Sequence, residues 1–172
     1  MTKPVRYVLD ANAFIQAKRS YYAFDLCPGY WKALLAHHGA GRLCSIDRVK
    51  DELLDGADEL ADWAKKTVPD GFFATSAETD VASWFSKMMA WVQSQSQFLP
   101  AAKSDFAAKA DGWLIAYAKA HGLKLVTLEK PNPAVKKKVP IPNVCDAFGV
   151  EYIDTFDMLR ALKTKFEWHG SA

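Results

Sequence analysis

A three-layer α/β protein with a central, mostly parallel sheet is the fold this chain predicts, and three observations carry that expectation. Short apolar runs of β character alternate with segments of helical periodicity, the pattern of strand–helix–strand crossovers in a sheet covered on both faces. Two of these runs stop at an acid, Asp10 and Glu129, where functional groups collect beyond the carboxyl edge of a parallel sheet. A length of 172 residues, with 50% hydrophobic and 13% aromatic side chains, suits one domain with a sizeable core and excludes a disordered or collagen-like chain.

The first strand is expected over Val5 to Leu9, with Ala11-Asn12-Ala13-Phe14-Ile15 opening a helix after Asp10. Trp31, Leu34 and Leu35 mark a second helix from Tyr30, which the Gly39-Ala40-Gly41 segment ends. A short strand, Arg42 to Cys44, comes next, and Ser45 is expected to cap a helix whose core face is Ile46, Val49 and Leu53, with Glu52 to one side. Ala57 to Lys66 extends that helical region, and Val68-Pro69-Asp70-Gly71 turns into the apolar piece Phe72 to Thr75. Ser76 to Gln97 repeats apolar residues at helical spacing (Val81, Trp84 or Phe85, Met88, Trp91 or Val92), a stripe best explained by core packing. Pro100 ends that region or begins the next, so a helical insert is placed at about 57–100. Ser104 to His121 reads as one helix stopped by Gly122, and Leu123 to Leu128 is the strongest strand. A last strand, Val150 to Ile153, precedes a helix capped by Thr155 and carrying Phe156, Leu159, Leu162 and Phe166.

Charge nearly cancels: 22 Lys and Arg against 20 Asp and Glu give +2, so no global field announces a nucleic acid or membrane. The three cysteines lack a Cys-x-x-Cys spacing and read as free thiols of a reducing compartment. No run of about 18 apolar residues and no signal-like start is present, so a cytoplasmic protein without a membrane partner is expected.

Four carboxylates fall where this topology converges them: Asp10, Glu52, Asp111 and Glu129. Clustered carboxylates repel one another, so such a set makes sense when a hard divalent cation, Mg²⁺ or Mn²⁺, supplies the opposite charge. Taken singly, an Asp after a strand is more often a helix cap and a Glu on a helix is more often solvated. Only their joint placement favours a metal site. Asp105 is a second-tier candidate, six residues before Asp111, where a helix-start role is the simpler reading.

Tyr7-Val8-Leu9-Asp10-Ala11-Asn12-Ala13-Phe14-Ile15, Ser45 through Glu52-Leu53, Ala110 through Ala118 and Leu125-Val126-Thr127-Leu128-Glu129 together resemble, in order and spacing, the PIN domain family. That family comprises small metal-dependent ribonucleases and includes the VapC-type toxins of toxin–antitoxin pairs. The resemblance implies a PIN-like fold and Mg²⁺- or Mn²⁺-dependent hydrolysis of RNA phosphodiesters. By position, Asp10, Glu52, Asp111 and Glu129 would be the metal-binding and catalytic acids, with Asn12 and Thr127 as polar support. It also implies a type II toxin with a protein antitoxin as partner. Two features depart from the pattern. Glu129 stands where the family commonly has Asp, and the insert is longer than in compact toxins, resembling an uncharacterised PIN-like subgroup in which a segment like Ile141 to Cys145 recurs.

Charge is polarised along the chain. Asp47 to Asp62 holds seven acids against Arg48 and Lys50, whereas Lys119 to Lys138 holds six lysines and one acid. Lys130, Lys136, Lys137 and Lys138 follow directly on Glu129, so a basic loop would border the acidic site and hold an RNA backbone there. A solvated loop whose lysines oppose aggregation explains the same residues. His37, His38 and His121 lack a partner at ligand spacing. Two other readings stay open. A haloacid-dehalogenase-like phosphatase also begins with Asp after a strand but needs a second Asp where Asn12 stands, and a non-catalytic PIN-like module would bind RNA or protein without cleaving it. Trp84 and Trp91 serve the core or, if exposed, a homodimer or antitoxin.

Overall fold

The computed structural model describes residues 6–170. Its sheet is built from β1 (Tyr7–Leu9), β2 (Leu43–Ile46), β3 (Phe73–Ala74), β4 (Lys124–Val126) and β5 (Tyr152–Ile153) in the order β3-β2-β1-β4-β5, every pairing parallel. Register is set by Val8, which lies opposite Cys44 on one side and Leu125 on the other. All three residues of β1 are buried, as expected for a central strand covered on both faces.

Helices α1 (Ala11–Arg19), α2 (Pro28–Gly39), α3 (Asp47–Asp55) and α4 (Glu59–Lys66) occupy the first half of the chain. In the second half follow α5 (Thr79–Ser94), α6 (Pro100–Ala108), α7 (Asp111–His121), α8 (Ile141–Phe148) and α9 (Thr155–Ala161). α1 packs with α3 and α4, while α5 lies along α7, which also touches α6 and α8. Gly122 ends α7 and Gly149 ends α8 in the left-handed conformation that glycine adopts without steric cost.

Several expectations need correction. Ser45 is not a cap: it lies in β2, and its hydroxyl donates to the Leu9 carbonyl at 2.7 Å, tying β2 to β1. The region 57–100 is not wholly helical, because β3 within it pairs with β2. Helix α4 is separate from α3 and is capped by Asp58, which accepts from the amides of Leu60 and Ala61. The helix expected over Ser104 to His121 is broken at Lys109, whose backbone is extended, and the Ala110 amide goes to Glu52 Oε1 at 3.1 Å instead of to the preceding helical turn. Asp154, not Thr155, caps α9, accepting from the Asp157 amide at 2.9 Å, and Phe156 and Phe166 are exposed. Helix α8 was not foreseen. Val5, the expected start of β1, lies outside the described residues.

The core includes a cluster of aromatic rings beside β3, where Phe14, Trp31, Trp63 and Phe72 meet in tilted and edge contacts. On the α5 side, Trp84 and Trp91 both set edges against Phe148 of α8 and are half-buried, so the core reading accounts for them. All three cysteines are free; Cys44 and Cys145 are buried and Cys27 is partly so. Among the described residues no helix is long and apolar enough to cross a membrane.

Candidate functional site

The site lies beyond the carboxyl ends of the two central strands. Asp10 leaves β1 as the N-cap residue of α1, and its own amide donates to the Val126 carbonyl at 3.0 Å, holding it at the edge shared by β1 and β4. Its side chain makes no capping bond. It accepts instead from the Thr127 hydroxyl at 3.0 Å. That hydroxyl in turn accepts the Glu129 amide at 3.2 Å, so one threonine fixes both the Asp10 carboxylate and the turn that leads out of β4.

Asp10 is only 2% exposed, and no Lys, Arg or His of the described residues bonds to it. Burial foremost, then the charges of Asp111 and Glu129, and more weakly Glu52, push its carboxyl up to about 8, against which the Thr127 hydrogen bond works. Asp111, the first residue of α7, is pushed up to about 6 by burial, Glu129 and Glu52, while Lys138 and Lys109 pull the other way. The N-terminus of α7 favours negative charge at this position. The four expected acids therefore sense one another electrostatically.

Two of them are held by other groups. Glu52 accepts the Ala110 amide, which fastens α3 to the start of α7. Glu129 pairs with Lys138 Nζ and accepts the Ile141 amide at 2.8 Å, bonding the first turn of α8. With both so engaged, no three His, Cys, Asp or Glu side chains among the described residues stand close enough together to hold one ion. The donors are nevertheless all carboxylate oxygens, the chemistry that Mg²⁺ and Mn²⁺ require, and the unpaired buried Asp10 is the oxygen most in need of a cation.

The remaining expected residues, apart from Thr127 and Lys138, lie outside this cluster. Asn12 is exposed on the first turn of α1, and Asp105 pairs on the surface with Lys109 at 2.9 Å, which explains it without a ligand. Lys136 and Lys137 are exposed, Lys130 stands 3.8 Å from Asp154, and Lys138 is bonded to Glu129. Of the histidines, His37 bonds Thr164, His38 bonds the Leu43 carbonyl and His121 pairs with Glu78.

Gly112 follows Asp111, and a Cβ there would lie 3.0 Å from both Met89 Cε and Phe85 Cε2, so glycine lets α5 and α6 pack tightly on the turn carrying Asp111. Its place inside the Asp-led helix was the available signal. Arg48, four residues before Glu52 on α3, was missed; it lies over the Trp113 ring at 4.0 Å.

The parallel order β3-β2-β1-β4-β5 between helical layers, with acids at the ends of β1 and β4, is the PIN-like three-layer α/β/α fold. The chain belongs to the family described as a domain of unknown function, DUF4411, whose model matches residues 7–166. Among solved structures it is similar to FitAcB from Neisseria gonorrhoeae, with a TM-score of 0.55 and 16% identity over 86% of this chain and 96% of that one. It is similar also to FitAB bound to an IR36 DNA fragment, with a TM-score of 0.55 and 13% identity over 95% of this chain and 99% of that one. Comparison with curated proteins gives no match.

Proposed function

We propose that the protein is a metal-dependent endoribonuclease and the toxin of a type II toxin–antitoxin pair. The observation that carries the reading is Asp10, a carboxyl 2% exposed at the end of β1, with no cation bonded to it and the charges of Asp111, Glu129 and Glu52 around it. A buried arrangement of this kind costs stability unless a positive charge is bound.

Asp10 and Asp111 would hold the cation, and Glu52 and Glu129 add negative charge around them. When bound, a divalent ion supplies positive charge to the phosphate and acidifies a nearby water. Thr127 keeps Asp10 in one orientation, and Glu52 keeps Asp111 at the head of α7. The lysines after Glu129, above all the exposed Lys136 and Lys137, would hold the RNA backbone. The resemblance of the sequence to toxin ribonucleases supports a protein antitoxin as partner. So do exposed apolar side chains, Tyr21 beside Phe156 and Leu26 beside Trp168.

The test is cleavage of an RNA oligonucleotide by purified protein with Mg²⁺ or Mn²⁺ against the same reaction in EDTA. Cleavage is expected only with metal, and Asp10→Asn is expected to lower it by about 10³-fold, the scale at which a charge-stabilising group acts. Full activity of that variant would sink the assignment. A folded wild-type protein that cleaves nothing and gains no stability from Mn²⁺ would favour a non-catalytic binding module.

A further inference from the structure

We propose that Arg48 is a preorganised phosphate-binding residue that holds a single-stranded RNA beside the acidic site, an inference that rests on the nuclease reading. Four observations meet at this side chain. Its guanidinium carbon lies 4.0 Å over the Trp113 ring, and Trp113 is backed on its other face by Phe85, stacked at 3.9 Å and 10°. Its Nε donates to Ser76 Oγ at 3.1 Å. Ser76, 1% exposed, is itself locked by Asp47, whose oxygens accept from the Ser76 hydroxyl at 2.7 Å and the Ser76 amide at 3.1 Å. The guanidinium is thereby fixed in plane and direction before any ligand arrives.

What is left over is the fourth observation. Among the described residues the two terminal nitrogens of Arg48 have no hydrogen-bond or ion-pair partner, although the residue sits in the most acidic stretch of the chain and its side chain is exposed. Asp47, the nearest acid in sequence, has both oxygens committed to Ser76 and to the Arg48 amide. A rigid arginine with an open planar fork is suited to two oxygens of one phosphate, and the rotamer entropy that binding would otherwise cost is already lost.

The position fits a strand that crosses the acids. Arg48 and Glu52 are four apart on α3, so they share a face with their Cβ atoms about 6 Å apart. Each makes a link from α3 to α7: Glu52 to the Ala110 amide, Arg48 to Trp113. Asp111 lies between those two attachment points in the chain. A phosphate on Arg48 would therefore neighbour the one presented to the acids, on the α3 side, while Lys136 and Lys137 lie in the segment that leaves Glu129.

The test measures binding of a short oligouridylate to the full chain in EDTA, where cleavage is suppressed, by fluorescence anisotropy over a salt series, with Mn²⁺-dependent cleavage of the same RNA as a second readout. Arg48→Ala should weaken binding about tenfold and reduce the salt slope by about 0.7, the loss of one phosphate contact on a single strand. Arg48→Lys should keep the slope but not the affinity, because a lysine offers charge without the fork. A residue that only clamps α3 to α7 would move the melting temperature and leave the slope alone. Unchanged affinity and slope in Arg48→Ala, with wild-type protein that binds and cleaves, would overturn this proposal and leave the nuclease reading standing. Wild-type protein that neither binds nor cleaves RNA would overturn both.

Discussion

Asp10 and Phe14 stand four residues apart at the head of α1, both buried, in opposite kinds of surroundings. Around Phe14 everything is matched: its ring meets Trp63, Phe72 and Phe73 at about 6 Å in tilted contacts, and the polar atoms of that region are satisfied. The Tyr30 hydroxyl donates to the Ala13 carbonyl at 2.9 Å and the Trp31 indole to the Tyr22 carbonyl at 2.8 Å. Around Asp10 the matching fails, since one hydroxyl faces a carboxyl whose other neighbours are acids. The aromatic side of the helix supplies stability, and the acidic side consumes part of it. A carboxyl buried among other acids breaks a local rule, and such a break marks where function is to be sought.

Breaking the matched side should have the largest effect. Phe14→Ala removes a fully buried ring from contact with three others and is expected to cost about 4 kcal/mol of unfolding free energy, measured by urea denaturation. A loss under about 1 kcal/mol would mean that Trp63 and Phe72 collapse into the space and that the cluster is less rigid than its geometry implies.

Breaking the mismatched side should act in the opposite direction. With its carboxyl raised from 3.8 to about 8, Asp10 binds its proton more tightly in the folded chain than in the unfolded one. Stability from this group is therefore fully present below pH 3.8 and drains away as the pH rises to about 8. Asp111, raised to about 6, adds a shorter decline over the lower part of the same window. Asp10→Asn keeps an acceptor for Thr127 without the charge, so in EDTA at pH 8 it should be more stable than wild type by on the order of 3 kcal/mol, with the advantage shrinking toward pH 4. Melting temperatures of the two proteins across that range check it; parallel curves would show that the site is solvated and that the contrast with Phe14 is false. Mn²⁺ should restore wild type by about 2.7 kcal/mol at a hundred times its dissociation constant and leave Asp10→Asn nearly unmoved.

What could be read from the chain alone divides along the same line of local against distant causes. Asp10 was legible because it follows its strand directly, Glu129 because it lies shortly after β4, and Gly122 because a helix stop is a local event. The role of Ser45 was not, since its partner Leu9 belongs to a different strand. Neither was the break before Asp111, because the group that takes the Ala110 amide is Glu52, 58 residues away. Helix α8 was missed although Pro142, in its first turn, is a helix-start signal. Glu129 was found as an acid but not as the residue that joins the basic loop and α8 to β4 through Lys138 and Ile141. Position in sequence identified the carboxyls. Only the fold shows which of them are already spoken for.

The smallest expected effect lies where the two kinds of region touch. Gly112 is at once beside Asp111 and packed under Phe85, Met89 and Phe106, so its substitution tests whether close packing on α5 positions the acid. Alanine is favoured over glycine in a helix by about 1 kcal/mol, which alone would make Gly112→Ala stabilising. Against that, the new methyl meets Met89 Cε and Phe85 Cε2 at 3.0 Å and Phe106 Cε1 at 3.3 Å. Met89 is able to yield, being the end of a flexible chain, but the Phe85 ring is stacked on Trp113 and takes the arginine-bearing face with it if it moves. The overpacking should outweigh the helix preference, for a net loss of about 1 kcal/mol in urea denaturation. It should also weaken stabilisation by Mn²⁺, because α7 is pushed away from α5 and carries Asp111 with it. A variant more stable than wild type with undiminished response to Mn²⁺ would show that α5 merely covers α7, and that the Glu52 bond to Ala110 suffices to place the acid.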